Sequence, residues 1–432
     1  MQVPFPHHSV RLRFALLATL LATGCGGDTD APSFDGDVRV GILHSRTGTL
    51  ALSENTVAEA ELLAIREINE MGGIQVGNAR LRIVPVEEDG QSDPSVFATR
   101  LSRMIDQDGV KVVFGGWTSA SRKAMVPVLE ARDHLLFYPI QYEGEECSAN
   151  VLYAGATPNQ QAGPAIAWLL ENRGRRFVLA GSDYVYPRTA NAIIRRQIAA
   201  LGGEITGEFY IDLGEMSLEP LVRNIEASLP SGGVIVNTIN GDSNVAFFES
   251  LQRAGITGDA GYSVMSFSLA EEEIAAMGAQ AMVETLAAWS FFQSLETPGS
   301  IEFTRRFRDA YGAHRVTSDP AATGYSMVHL WAAAVEKAGS VEPEAVRDAL
   351  PGVTIASPLG ELAVLSNHHV RKATLIGEVQ PDGQFKILHA EEPIIPTAWS
   401  PWLPENEGFV CDFSQERPDA SRFRSGESGD DP

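Results

Sequence analysis

Short apolar runs that alternate with longer amphipathic stretches constrain the fold of this 432-residue chain more than any other feature. The apolar runs are bounded by Gly, Pro or Asp, which is typical of buried parallel strands. They lie at 38–44, 81–86, 112–114, 135–138, 177–180, 234–237 and 263–266. The intervening helix patterns lie at 55–71, 94–107, 119–132, 159–172, 187–201, 243–254 and 321–339. Because this alternation is too long for one ordinary sheet, it predicts an α/β protein with two doubly wound lobes.

The pattern changes after Leu350, where helices give way to short strands. Residues 360–365, 372–380 and 384–388 predict a β-meander, with a turn at 381–383 that contains Pro, Asp and Gly. The tail at 413–432 is polar, charged and without periodicity, so we expect it to be disordered.

The N-terminus has the pattern of a secretory signal. Basic residues precede an apolar stretch at 14–22 that is much shorter than the roughly 20 residues a membrane span needs. The following Cys25 resembles the lipidated cysteine of bacterial lipoproteins, which predicts a lipoprotein signal peptide at 1–25 and a tether at 26–37. An ordinary signal peptide with an incidental cysteine is the alternative. The chain is therefore expected to be extracytoplasmic and held at a membrane by its lipid.

Export would place the mature chain in an oxidising compartment. Once Cys25 is lipidated, Cys147 and Cys411 are the two cysteines left. They form either a disulfide across a very long loop or two separate thiols, and the sequence leaves both possibilities open.

Charge and motifs exclude several function classes. The formal net charge is −23, so nucleic acid is a disfavoured partner because its phosphates would be repelled. The chain has no GxSxG, HExxH, Walker or GxGxxG motif in a suitable context, so we predict neither an enzyme nor a cofactor. Adjacent His368 and His369 point opposite ways on an extended segment, and a metal site is disfavoured.

Four strand-to-helix turns carry unusual side chains, at 115–121, 137–146, 181–188 and 237–244. Ligands of open α/β sheets bind beyond the carboxyl ends of the strands, where such turns lie. Helix caps, core tyrosines or a solvated acidic loop would explain each turn without a ligand. Trp117 favours a ligand, because a large aromatic side chain is unusual in a tight turn unless it covers something.

Taken together, GWTSASRKA, LLFYPIQYEGEE, GSDYVYPRTAN and NTINGDSNVAFF resemble the substrate-binding proteins of urea and short-chain amide ABC transporters. The resemblance covers roughly residues 37–412 and extends to branched-chain amino-acid binding proteins and a cytoplasmic amide sensor. It implies a type I periplasmic binding protein fold, with two Rossmann-like lobes joined by a three-stranded hinge. Lobe 1 would comprise 38–156 and 284–354, and lobe 2 would comprise 157–283 and 355–412, with 285–292 as the middle crossing. The ABC permease in the membrane would be the protein partner.

The resemblance and the chemistry of urea imply a set of ligand-binding residues. Hydroxyls or amides would bind the ligand oxygen, amide or carboxylate oxygens would bind its N–H groups, and aromatic rings would wall the pocket. The predicted residues are Trp117, Thr118, Ser119, Tyr138, Gln141, Tyr184, Tyr186, Asp242 and Trp289. Since Arg122 and Arg188 are expected to turn away from the cleft, a neutral amide is preferred over an amino acid. A branched-chain amino acid, another small ligand and an amide sensor remain alternatives.

Overall fold

The computed structural model describes residues 32–414. The predicted signal peptide, Cys25, residues 26–31 of the tether and residues 415–432 of the tail lie outside the described residues. Within 32–414, no helix is both long and apolar enough to cross a membrane.

Strands and helices alternate along the first two thirds of the chain, as the apolar runs predict. In chain order the elements are β1 (Gly36–His44), α1 (Ala51–Glu70), β2 (Ile74–Val76), β3 (Ala79–Asp89), α2 (Pro94–Arg103), β4 (Val113–Gly115), α3 (Ser119–Arg132), β5 (Leu136–Tyr138), β6 (Val151–Tyr153), α4 (Ala162–Asn172), β7 (Arg176–Ser182), α5 (Val185–Ala200), β8 (Glu204–Ile211), α6 (Glu219–Ser228), β9 (Gly233–Thr238), α7 (Asp242–Arg253), β10 (Tyr262–Ser266), α8 (Glu271–Met277), β11 (Leu286–Trp289), α9 (Pro298–Tyr311), α10 (Asp319–Ala338), α11 (Pro343–Ala349), β12 (Thr354–Ser357), β13 (Gly360–Val364), β14 (Val370–Val379) and β15 (Phe385–Ile394).

The first lobe is built on a sheet in the order β2-β3-β1-β4-β5-β6. Its pairs are parallel apart from the short β2–β3 hairpin. Val40 and Ile42 of β1 pack in one core with Phe114 of β4 and Trp331 of α10. The Phe114 and Trp331 rings meet edge to face, with their centroids 6.0 Å apart. Thus α10, which comes late in the chain, closes the first lobe.

The second lobe is built on a sheet in which β8, β7, β9 and β10 are parallel neighbours, followed by β11. Antiparallel β14 then joins β11, and β15 pairs with β14. A second core contains Val178, Ile235, Phe247 and Phe385. The predicted meander is confirmed: its turn is closed where Gln380 accepts a hydrogen bond from the Gly383 amide at 2.9 Å.

The chain passes between the lobes at three places, 154–161, 290–297 and 365–369. The crossings lie close to one another and to the strands that lead into them. Gln161 Nε2, in the first crossing, donates to the Ala288 carbonyl of β11 at 2.7 Å, and the Tyr153 amide, at the end of β6, donates to the His368 carbonyl of the third crossing at 2.9 Å. Strand ends of both sheets therefore converge beside the crossings, which places the turns that follow β1, β4, β7 and β9 between the lobes.

Three predicted boundaries differ from the structure. Residues 286–289 form β11, which pairs with β10 in the second sheet, so the middle crossing begins after Trp289 rather than at 285, and lobe 1 does not resume at 284. The β12–β13 hairpin packs Leu362 and Val364 into the first core, so this part of 355–412 lies with lobe 1. Asp37, assigned to the tether, is already in β1, because a β1–β3 pairing reaches back to Gly36.

The C-terminal extension, residues 395–414, is fastened to the first lobe. The structure joins Cys147 and Cys411 in a disulfide, which decides between the two possibilities that the sequence leaves open. The Glu145 amide donates to the Ala398 carbonyl at 2.7 Å, and the Ser400 amide donates to Glu145 Oε1 at 2.9 Å. The extension therefore supports the acidic loop that follows β5 from behind.

Candidate functional site

The turn between β4 and α3 is held close to β1 by glycine. Gly115 has φ = +140°, and a Cβ there would lie 2.0 Å from the Leu43 carbonyl oxygen, so no other residue fits without a shift of the backbone. Thr118 then caps α3, since its Oγ1 accepts from the Ser121 amide at 3.0 Å. Buried Trp117 lies between these residues, and its carbonyl accepts a hydrogen bond from the Tyr138 hydroxyl.

A buried ion-pair network connects this turn to the loop after β5. Arg122 is fully buried, and its guanidinium donates to Glu146 Oε1 at 2.8 Å, to Glu143 Oε1 at 3.1 Å and to Ser119 Oγ at 3.0 Å. Ser119 in turn donates to Glu143. Lys123 adds a half-buried ion pair to Glu146 at 3.1 Å. Two of the three carboxylates of the loop, Glu143 and Glu146, are thus bound by cations of one helix.

The charges in this network shift the pKa values of its members. Burial alone would raise the pKa of Glu146, but the neighbouring Arg122 and Lys123 outweigh burial and lower it to about 2. Burial alone would lower the pKa of Arg122, and Glu146 and Glu143 raise it well above its usual value. Both groups therefore stay charged inside the protein at neutral pH.

Aromatic rings enclose the guanidinium. The Arg122 Cζ atom lies 4.9 Å from the centroid of the Tyr138 ring and 4.6 Å from that of Tyr142. Behind them, Tyr153 stacks on Tyr142 at 4.9 Å and on His369 at 4.5 Å. The Tyr142 hydroxyl and His369 Nε2 are 2.6 Å apart.

The two adjacent histidines are part of the framework. Burial lowers the pKa of His369 to about 3 and that of His368 to about 4, so both are neutral. His368 Nδ1 lies 3.1 Å from the Ala149 carbonyl oxygen. Among residues 32–414, no three His, Cys, Asp or Glu side chains are grouped to hold a metal ion.

Gln141 reaches from the first lobe to the second. Its Nε2 donates to the Phe267 carbonyl, just beyond β10, at 2.8 Å. The residue is 5% exposed, and its buried Oε1 has no hydrogen-bond partner within the described part of the chain. A buried acceptor without a donor costs about 1–3 kcal/mol, so this oxygen is suited to an N–H or O–H group of a ligand.

The turn between β7 and α5 brings two tyrosines to the same side of the second lobe. Tyr184 is half-buried, Tyr186 is buried, and their ring centroids are 6.4 Å apart. Burial raises the pKa of Tyr184 well above its usual value, and Tyr186, Tyr138 and Glu143 act in the same direction. Because the last two groups belong to the first lobe, Tyr184 faces the opposite wall of the cleft.

Two predicted site residues do not present their side chains to the cleft. Asp242 is exposed, and it meets the first lobe through its backbone amide, which donates to the Thr49 carbonyl at 3.2 Å. Its carboxylate points to solvent because the turn at Gly241, with φ = +67°, uses the backbone for this contact. Trp289 lies in the second core, and its Nε1 donates to the Leu269 carbonyl at 2.8 Å. It supports the cleft rather than walling it.

The structure also reveals a buried charge within the first lobe that sequence reasoning missed. His44, at the end of β1, lies 3.1 Å from Glu54 Oε2 and 2.9 Å from Glu61 Oε1. Burial alone would lower its pKa, but Glu61 and Glu54 outweigh burial and raise it to about 9. The sequence did contain a signal for this cluster. Glu54 and Glu61 are seven residues apart, so they lie on one face of α1, and His44 ends the strand that precedes this helix.

Known proteins are similar over most of this chain. A family model described as "Periplasmic binding protein domain" matches residues 38–405. The "Leu/Ile/Val-binding protein BraC3" of Rhizobium johnstonii is 23% identical over 80% of this chain and 92% of its own length. A solute-binding protein of an ABC transporter from R. palustris, in complex with 4-hydroxybenzoate, superposes with a TM-score of 0.75 at 18% identity, over 86% of this chain and 100% of that one.

A fourth match is partial. A segment of 120 residues, 28% of this chain, is 31% identical to the "Limonene hydroxylase" of Geobacillus stearothermophilus, but it spans only 22% of that protein. The structural likenesses support the fold of the two lobes, and the family match extends over both.

Proposed function

Because the chain belongs to the periplasmic binding protein domain family, we propose that it is an extracytoplasmic receptor of an ABC transporter. Its two lobes enclose a small solute, and the closed form delivers that solute to a permease. The protein carries out no chemical step in this role. A lipid on Cys25 attaches it to the membrane.

We propose a neutral amide, urea or a short aliphatic amide, as the solute. This choice rests on the charge balance around Arg122. Its guanidinium already forms ion pairs with Glu143 and Glu146. A carboxylate ligand would have to compete with both of these anions for it. The lone acceptor of Gln141 suits a ligand rich in N–H groups, and urea has four.

A carboxylate-bearing solute is the second candidate. The R. palustris structure is a complex with 4-hydroxybenzoate, and the Rhizobium protein is named for Leu, Ile and Val. The backbone amides that open α3 beside Thr118 are suited to an anionic group. These comparisons favour the second candidate, whereas the neutralised guanidinium favours the first.

Isothermal titration calorimetry with urea, acetamide, formamide, leucine and 4-hydroxybenzoate discriminates between the candidates. Heat with the three amides alone supports the first, and heat with leucine or 4-hydroxybenzoate alone refutes it in favour of the second. The Gln141→Met variant loses both the acceptor and the contact with Phe267. At about 1–3 kcal/mol this weakens amide binding roughly 5- to 150-fold.

Gln252→Met is the matched control, because this glutamine lies on the far end of α7 and is exposed. Its amide affinity should equal that of the unmodified protein. Equal affinities for both variants would contradict the assignment of Gln141 to the site. Membrane attachment has its own test: Cys25→Ser should move the protein from the membrane fraction to the soluble fraction.

A further inference from the structure

The start of α8 buries three consecutive carboxylates between the lobes. Glu271, Glu272 and Glu273 are each at most 5% exposed, although they belong to the most polar residue class. Helix α8 belongs to the second lobe, and it faces α1 and the start of α10, which belong to the first.

Two of these carboxylates are bonded across the cleft. Ser53 Oγ of α1 donates to Glu273 Oε1 at 2.6 Å, and Ser318 Oγ, which caps α10, donates to Glu272 Oε1 at 2.7 Å. Glu271 receives the amide of Gln293, in the middle crossing, at 2.7 Å. All three contacts tie α8 to residues that belong to the first lobe or to the crossing.

Little positive charge faces this cluster. The positive charge of Arg315 lowers the pKa of Glu272, but Arg315 is already paired with Glu59. Asp319, at the start of α10, adds negative charge beside Glu271, and it is itself opposed by buried Lys372. Glu271 Oε2 is buried without a partner among the described residues.

We propose that Glu271, Glu272 and Glu273 form a proton-dependent latch that positions the lobes in the closed arrangement. Closing removes these carboxylates from water without supplying enough cations to neutralise them. The closed arrangement therefore binds protons that the separated lobes release. The inference rests on the proposed function only in that the lobes must be able to separate.

The direction of the effect follows from the pKa shifts. Burial first, and then the charge of Glu273, raise the pKa of Glu272 to about 8 in the closed arrangement. Burial likewise raises the pKa of Glu273 and, with the charge of Glu272, that of Glu271. Separated lobes return these groups towards their ordinary value of 4.5. Closing is thus favoured below pH 4.5 and loses this advantage as the pH rises to about 8, by at most tenfold per pH unit for each proton taken up.

Small-angle scattering of the ligand-free protein tests the latch without assuming any ligand. The radius of gyration should increase between pH 5 and pH 8.5 as the lobes separate. Glu272→Gln copies the protonated side chain in shape and charge, so at least half of this increase should disappear. Glu249→Gln, an exposed glutamate of α7, is the control and should keep the full increase.

A constant radius over this pH range, or an undiminished increase in Glu272→Gln, overturns the latch. Near-ultraviolet circular dichroism shows whether each variant is folded. Calorimetry with urea in two buffers of different ionisation enthalpy adds a second measurement. Binding at pH 7 should take up at least about one proton, because Glu272 alone has a pKa of about 8 in the closed arrangement, and Glu272→Gln should reduce this number. A heat of urea binding that shows no uptake of protons contradicts the latch. An absence of urea binding contradicts the proposed ligand, and the scattering experiment then decides on the latch alone.

Discussion

Replacement of Arg122 by Met should destabilise the protein strongly, because it leaves Glu143 and Glu146 buried without their common partner. The magnitude follows from Glu146, whose pKa lies at about 2 instead of 4.5. At about 1.36 kcal/mol per pKa unit, this difference corresponds to about 3 kcal/mol. Removal of one partner from a buried ion pair costs about 3–5 kcal/mol in general, which agrees.

The loss should depend on pH with a defined sign. With Arg122 present, the pKa of Glu146 is depressed, so its stabilisation is present above pH 4.5 and disappears as the pH falls towards 2. Without Arg122, the burial that remains raises this pKa, and the charged carboxylate destabilises the fold increasingly as the pH rises. The difference in free energy of unfolding should therefore be larger at pH 8 than at pH 5.

Equilibrium unfolding in guanidinium chloride measures this difference, since urea is the candidate ligand and is unsuitable as the denaturant. Arg132→Met is the control: its pair with Asp106 is surface-exposed, and its loss should cost less than about 1 kcal/mol. A loss below about 1 kcal/mol for Arg122→Met at pH 8, or a loss that is independent of pH, would refute the reasoning.

Three further changes have defined outcomes. Cys411→Ser opens a loop of 264 residues and should lower the free energy of unfolding by about 2–4 kcal/mol, a difference that should vanish when both proteins are measured with a reducing agent. Gly155→Ala places a Cβ 1.9 Å from the Ile140 carbonyl oxygen, so the thermal midpoint should fall by several degrees; an unchanged midpoint would show that the backbone there yields easily. His44→Gln removes an imidazolium with a pKa raised to about 9. The charged ring stabilises the fold fully below pH 6.5, and this stabilisation is lost as the pH rises through 9. The destabilisation measured by denaturation should accordingly shrink between pH 6.5 and 9.5, and a constant difference would contradict the paired imidazolium.

The sequence predicts the turns of the cleft better than their contacts. The turns that contain Trp117 and Tyr184 follow buried strands, and strand-to-helix turns of parallel sheets meet at one edge whatever their side chains. The residues that those side chains touch depend on the register between strands. Arg122 and Glu146 lie 24 residues apart, and the pairing of β4 with β5 is what brings them together. The helix pattern alone therefore gave no indication that Arg122 binds the loop after β5.

Side-chain direction and lobe packing explain the other differences. Asp242 is polar and follows a strand, but the contact at this turn is made by its amide. Glu271 and its two neighbours have the pattern of an ordinary acidic first turn of a helix, which normally faces solvent. They are buried because α8 lies against α1, the start of α10 and the middle crossing, and this depends on how two separate lobes meet.

The ring stack beside the crossings has a mechanical consequence. Tyr153 ends β6, directly before the first crossing, and His369 ends the third crossing, and their rings are 4.5 Å apart and nearly parallel. The Tyr153 amide also donates to the His368 carbonyl, so the end of β6 and the third crossing are held side by side. We expect sliding of these two connections past each other to separate the stacked rings and to break that hydrogen bond. A rotation of the lobes about these contacts leaves both in place, so we expect rotation to be the easier motion.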